Sequence, residues 1–127
     1  MKVDIRWENE AKTVIRYSYS GEWSWDDFYA ILNQRDPPPP DGQLSALVDL
    51  RQTTHLPGDA VLHLKSAAKM AEEIDGMVVI ITSNTAMTTL FNIFVTIYKR
   101  VGKRFRVVNS EEEAYAILKI LPKNDLS

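Results

Sequence analysis

Val3, Ile5 and Trp7 alternate with Lys2, Asp4, Arg6 and Glu8. A period of two marks a strand with one wet face. After the polar stretch Glu8-Asn9-Glu10-Ala11, Thr13, Ile15, Tyr17 and Tyr19 alternate with Lys12, Arg16 and Ser18, and Val14 breaks the pattern. Two alternating runs across a short polar turn predict a β-hairpin, although the turn lacks an Asn-Gly signal. Gly21 ends the second strand. Ser24 then offers a cap, Asp26 and Asp27 suit the positive end of a helix dipole, and Trp25, Phe28, Ile31 and Leu32 follow at helical spacing. This helix should run to about Arg35, because the four prolines 37–40 cannot continue it.

Residues 43–50 predict a third strand. A helix should begin at Pro57 or Asp59, with Val61, Leu64, Ala68 and Ala71 on its apolar side and Asp75-Gly76 as its stop. Met77–Thr82 is a short apolar run and predicts a buried central strand. Ser83-Asn84-Thr85 can cap a third helix running to about Arg100, with Gly102 as a C-terminal stop. Arg104–Asn109 predicts a fifth strand. Ser110-Glu111-Glu112-Glu113 is a capping box opening a last helix, which Pro122 ends. The predicted order is β-β-α-β-α-β-α-β-α. After the hairpin, strands alternate with helices, which implies right-handed crossovers and a mostly parallel sheet. The expected fold is α/β: a mixed five-stranded sheet, with an opening antiparallel hairpin and then mostly parallel strands, covered by four helices.

The chain has 127 residues, so a single domain covering 1–127 is expected. It has no cysteine, which excludes disulfides, a thiol nucleophile and Cys-ligated metal. Lys and Arg number 15 against 17 Asp and Glu, a balance that removes the electrostatic case for a nucleic-acid partner. The longest apolar run, Met77–Ile81, is far short of the ~20 residues that cross a bilayer. No membrane role and a cytoplasmic location are expected.

Catalytic patterns are scarce. The five glycines are too far apart for a phosphate loop. The two histidines are His55 and His63; Asp59 and His63, four apart, can share a helix face that His55 precedes, but this spacing matches no metal motif. No nucleophile elbow occurs. Asp49 is the acid of most interest, because it interrupts an apolar strand near the carboxyl edge of the predicted sheet. It either faces a ligand beside Arg51, Thr53 and Thr54, with Thr82 at the next strand end, or caps the turn that follows it. Lys99, Arg100, Lys103, Arg104 and Arg106 form a local basic cluster. It reads as a helix end followed by the wet side of an edge strand.

The third helix departs most from the ordinary. Met87, Leu90, Phe91, Phe94, Tyr98 and Val101 form one apolar stripe, and Ile93, Val95 and Ile97 widen it. No residue from Asn84 to Tyr98 is charged, and Thr88, Thr89, Asn92 and Thr96 supply the polar side. A surface helix ordinarily carries charges outward. Either this helix is deeply packed or it meets a second chain through Thr88, Asn92, Ile93, Thr96 and Ile97. A homodimer is the simplest form of the second case.

The opening hairpin with Trp7 and Tyr17, the Gly21-Glu22-Trp23-Ser24-Trp25 entry to the first helix, the Leu47-Val48-Asp49-Leu50 strand and the Glu112-Glu113-Ala114 helix start resemble the STAS-like superfamily. These are anti-sigma-factor-antagonist-type (SpoIIAA-like) domains, and the resemblance spans nearly the whole chain. It implies a small non-enzymatic α/β domain without cofactor. In the regulatory branch such a domain binds a partner kinase and is switched by phosphorylation of a serine before its second helix. The matching stretch here, Thr53-Thr54-His55-Leu56-Pro57-Gly58-Asp59, has no serine, and Thr53 and Thr54 are its hydroxyls. A receiver domain would need an acidic pair after its first strand, where this chain has the hairpin turn. The expected function is therefore a regulatory or protein-interaction module that self-associates through helix 84–100. The alternative is a small-molecule or lipid-binding domain with a pocket between the sheet and that helix. An enzyme using Asp49, His55 and Asp59 ranks third.

Overall fold

The computed structural model describes residues 3–10, 12–32, 44–53, 58, 63, 65–66 and 76–119. Its strands are β1 (Val3–Trp7), β2 (Val14–Ser20), β3 (Ser45–Gln52), β4 (Val78–Ile81) and β5 (Phe105–Val108). Its helices are α1 (Trp25–Leu32), α2 (Thr85–Ile97), the one-turn α3 (Lys99–Gly102) and α4 (Glu111–Leu118). The strands form one mixed sheet in the order β1-β2-β3-β4-β5. β1 runs antiparallel to β2, and every other pairing is parallel. The expected α/β class and mixed sheet are therefore present. Of the helix expected between Pro57 and Asp75, only His63, Lys65 and Ser66 are described among helical residues, and the prolines 37–40 lie outside the described residues.

The hairpin turn closes without Asn-Gly because Asn9 does the work with its side chain. Its Oδ1 accepts from the backbone N–H groups of Thr13 and Val14, and its Nδ2 donates to Thr13 Oγ1. Lys12 takes the left-handed φ of 57° that the turn requires. At the other end of β2, Gly21 adopts φ 62° and donates its N–H to the Gln52 carbonyl, which ties the entry of α1 to the end of β3.

Two cores lie on opposite faces of the sheet. Ile15, Tyr17, Ala46, Leu50, Val78 and Ile80 point to one face, where Trp25 and Phe28 of α1 and Met87, Phe91 and Phe94 of α2 cover them. Val14, Leu47, Val79, Ile81 and Val108 point to the other, where Ala114 and Tyr115 of α4 cover them. Val14, the residue that broke the alternation, is thus an inward residue of the second core. Sequential parallel strands with right-handed crossovers put their connecting helices on one face. Only α4, which follows the last strand, is described on the second face.

The third helix is shorter than expected. It ends at Ile97, Tyr98 breaks the helix at φ −103°, ψ 69°, and α3 resumes for one turn. The break keeps the Tyr98 ring against Phe94, with centroids 5.1 Å apart. It also brings Gly102 onto Val95. A Cβ on Gly102 would lie 2.5 Å from the Val95 carbonyl oxygen and 3.0 Å from its Cα. Helix α4 likewise stops before Pro122, at Leu118, with Lys119 in the left-handed capping conformation. Gly102→Ala is expected to destabilise the domain by about 1–3 kcal/mol through this backbone overlap. Urea denaturation measures it; an unchanged midpoint would show that the contact has slack.

Candidate functional site

The start of α2 is locked to the end of β4. Asn84 is the N-cap, and its Oδ1 accepts from the Met87 N–H at 3.0 Å. Thr82, buried behind it, accepts from the Asn84 N–H through Oγ1 and donates to Met87 Sδ. Thr82 is therefore held inside the fold, with its hydroxyl engaged by both partners. Along the helix, Thr88 and Thr96 donate their hydroxyls to the carbonyls of Asn84 and Asn92 one turn earlier. Those bonds are internal to the helix.

Met87, Phe91 and Phe94 turn inward and are buried. Phe94 also packs on Phe105, with ring centroids 5.1 Å apart, so aromatic rings occupy the layer between this helix and the sheet. On the outer side, Ile93 is 51 % and Ile97 65 % exposed, and these are the exposed large hydrophobics among the described residues. Asn92 and Thr96 are exposed beside them. Thr88 sits apart from the other expected interface residues. It is half-buried and lines a crevice of about 320 Å³ with Ser83, Thr85, Val107, Val108, Asn109 and Glu113 at the carboxyl ends of β4 and β5.

Asp49 is 7 % exposed and sits in an ion cluster on the second face of the sheet. Its Oδ2 accepts from Arg16 Nη2 at 2.6 Å and from Arg51 Nη2 at 2.8 Å. Its Oδ1 accepts from both the backbone N–H and Nε of Arg51 at 3.0 Å. Both readings of Asp49 thus meet in part: it bonds the following backbone, and it lies beside Arg51, but its oxygens are spent on internal partners. Arg16, 4 % exposed, also reaches Glu8 at 3.2 Å and Glu111 at 3.3 Å. Tyr115 bonds both Glu8 and Glu111 through its hydroxyl. The second guanidinium of the cluster, Arg51, closes the ring onto Glu111 Oε2 at 2.9 Å. Thr53 turns away from this cluster and donates to the Gly21 carbonyl. Thr54, with His55 and Asp59, lies outside the described residues.

The chain matches no protein-family model and no curated protein. Its own geometry therefore carries the functional reading.

Arg16, Glu8, Glu111 and Tyr115 were not legible as one site. A hint was present: a carboxylate inside an apolar strand needs a cation, because an unpaired buried charge is very costly. The partner came from the sheet register. Parallel pairing sets Ser18 against Asp49, and Arg16 lies two residues back on the same face. Elsewhere, His63 is engaged by aromatics, stacking on Trp25 with centroids 4.6 Å apart and meeting the Tyr29 hydroxyl through Nδ1 at 2.9 Å. Of the basic cluster, Lys99, Lys103 and Arg106 are exposed.

The cluster ties α4 to the hairpin turn, β2 and β3. Burial alone would raise the Asp49 carboxyl, but hydrogen bonds from Arg51 and Arg16 outweigh it and hold the group at about 2. Glu111 is also held below the usual carboxylate range, first by the Tyr115 hydroxyl and then by Arg51 and Arg16. Burial pushes the Tyr115 hydroxyl up, and its two carboxylate partners add to this. A depressed carboxyl contributes stability that is full above its unfolded value near 4 and is lost as pH falls through its folded value. For Asp49 that loss spans about pH 4 to 2 and amounts to about 2 kcal/mol. Unfolding midpoints measured across this range should fall more for the parent than for Asp49→Asn, which has no such titration. Arg16→Met removes the guanidinium that the buried Glu8 and Asp49 share, and should cost about 3–5 kcal/mol in urea denaturation.

Proposed function

We propose that this chain is a non-enzymatic protein-interaction module, a STAS-like regulatory domain of the cytoplasm, that self-associates through the outer side of α2. The observation that carries this reading is the pair Ile93 and Ile97, more than half exposed and one turn apart on a helix without a charged residue. Apolar side chains gathered on an uncharged surface mark contact sites more often than solvent faces. A neutral face is also compatible with its own copy, since no like charges meet across a symmetric contact. The internal engagement of Asp49, Thr53 and Thr82 supports the non-enzymatic part of the reading, because the chemistry-bearing residues of the strand ends serve the fold.

Magnitudes set the strength of such a contact. Covering two half-exposed isoleucines on each of two protomers contributes roughly 5 kcal/mol. A micromolar complex needs about 8 kcal/mol, and association has its own entropic cost. Contacts from the neighbouring helix surface must supply the remainder, so the dimer should depend strongly on concentration.

Sedimentation velocity over a wide concentration series tests this. The parent should shift toward dimer as concentration rises. Ile97→Asp and Thr96→Lys should remain monomeric while keeping the parent's circular dichroism and urea midpoint. A parent that stays monomeric at the highest soluble concentration would falsify the reading.

A further inference from the structure

Two apolar stripes run along α2. Met87, Phe91, Phe94 and Tyr98 face the sheet. Ala86, Leu90, Ile93 and Ile97 repeat the same spacing of four, three and four on the adjoining flank. Ala86, Ile93 and Ile97 are exposed there, and Leu90 is half-buried. This spacing is that of a helix–helix seam, in which apolar residues recur on average every 3.5 positions.

The seam is graded in size and its ends differ in charge. Its N-terminal end carries the small Ala86 and its C-terminal end the larger, most exposed Ile97. Just past the C-terminal end stand the exposed Lys99 and Lys103. The helix itself is neutral between these ends.

We propose that the occupant of this seam is the α2 helix of a second copy, running antiparallel about a two-fold axis that passes between Leu90 and Ile93. The proposal rests on the contact face argued above and adds its partner's orientation and register. In this arrangement Ala86 lies opposite Ile97 of the other copy, and Leu90 opposite Ile93, so small meets large at both ends. A parallel pairing would set Ile97 against Ile97 and leave Ala86 against Ala86, with a gap at one end and crowding at the other. Charge favours the same choice. Thirteen residues span about 20 Å, so antiparallel helices keep their basic ends well beyond the ~8 Å screening length and set each against the partner's uncharged helix start. Parallel helices would place Lys99 and Lys103 of both copies together.

The absence of cysteine makes the test direct. Ala86→Cys and Thr96→Cys each add one exposed thiol and keep both isoleucines. Treated with a short bismaleimide, a mixture of the two variants should yield crosslinked dimer on the order of tenfold above either variant alone, the advantage expected of neighbouring sites. Sedimentation of the untreated variants runs alongside. Efficient crosslinking of either variant alone means a parallel pair and overturns the arrangement while self-association stands. A dimer in sedimentation without crosslinks in any combination overturns the seam as its interface. A monomer in sedimentation overturns the contact-face reading as well. Binding of that monomer to anionic vesicles, lost in Ile97→Asp, would assign the seam to a lipid surface instead.

Discussion

Parallel strands laid down in sequence order and joined by right-handed crossovers place their helices on one side of the sheet. In this protein α1 and α2 cover one face, and α4, free of the crossover rule, covers part of the other. The two faces consequently face different physical problems. The first is sealed by aromatic and aliphatic residues from two helices. The second has a smaller apolar core, in which Val14, Leu47, Val79, Ile81 and Val108 lie with Ala114 and Tyr115 of α4, and beside it the described residues of β2 and β3 carry charged groups.

The ion cluster is how that second face ends. Arg16 and Asp49 sit where the apolar core gives out, buried under α4 at the sheet centre, and the half-exposed Arg51 and Glu111 connect them to water. Buried ion pairs give little net stability over an apolar replacement, but breaking one is costly. Their value here is positional. Glu8 comes from the hairpin turn, and Arg16, Asp49, Arg51 and Glu111 come from β2, β3 and α4, so their mutual bonds tie the last helix to the sheet. The cluster thereby keeps α4 from sliding along an apolar surface that does not by itself specify position.

On the opposite side, α2 has the converse character. Its inner stripe meets the sheet and its outer flank carries apolar residues that nothing in the described fold covers. Internal hydrogen bonding of Thr88 and Thr96 lowers the polarity of a surface that looks hydrophilic in composition. A helix with no charges and two exposed isoleucines is suited to contact, and the basic residues that occur nearby stand past its C-terminal end.

Periodicity sufficed for the elements. The period of two in β1 and β2, the five short strands and the capped starts of α2 and α4 were all readable, because backbone geometry and local capping depend on residues within a turn of one another. So was the anomaly of α2, since the absence of charge over a whole helix is a property of the chain alone. The identity of the buried cluster was not readable. Arg16 looked like a solvent-facing residue of an alternating strand, and Asp49 like a candidate for ligand chemistry. Which groups met them depended on the strand register and on α4 docking across a separation of ninety-five residues from Arg16 to Glu111. Local pattern determines which residues share a face; only the tertiary arrangement decides what that face meets, because burial and charge pairing are set by distant parts of the chain brought together.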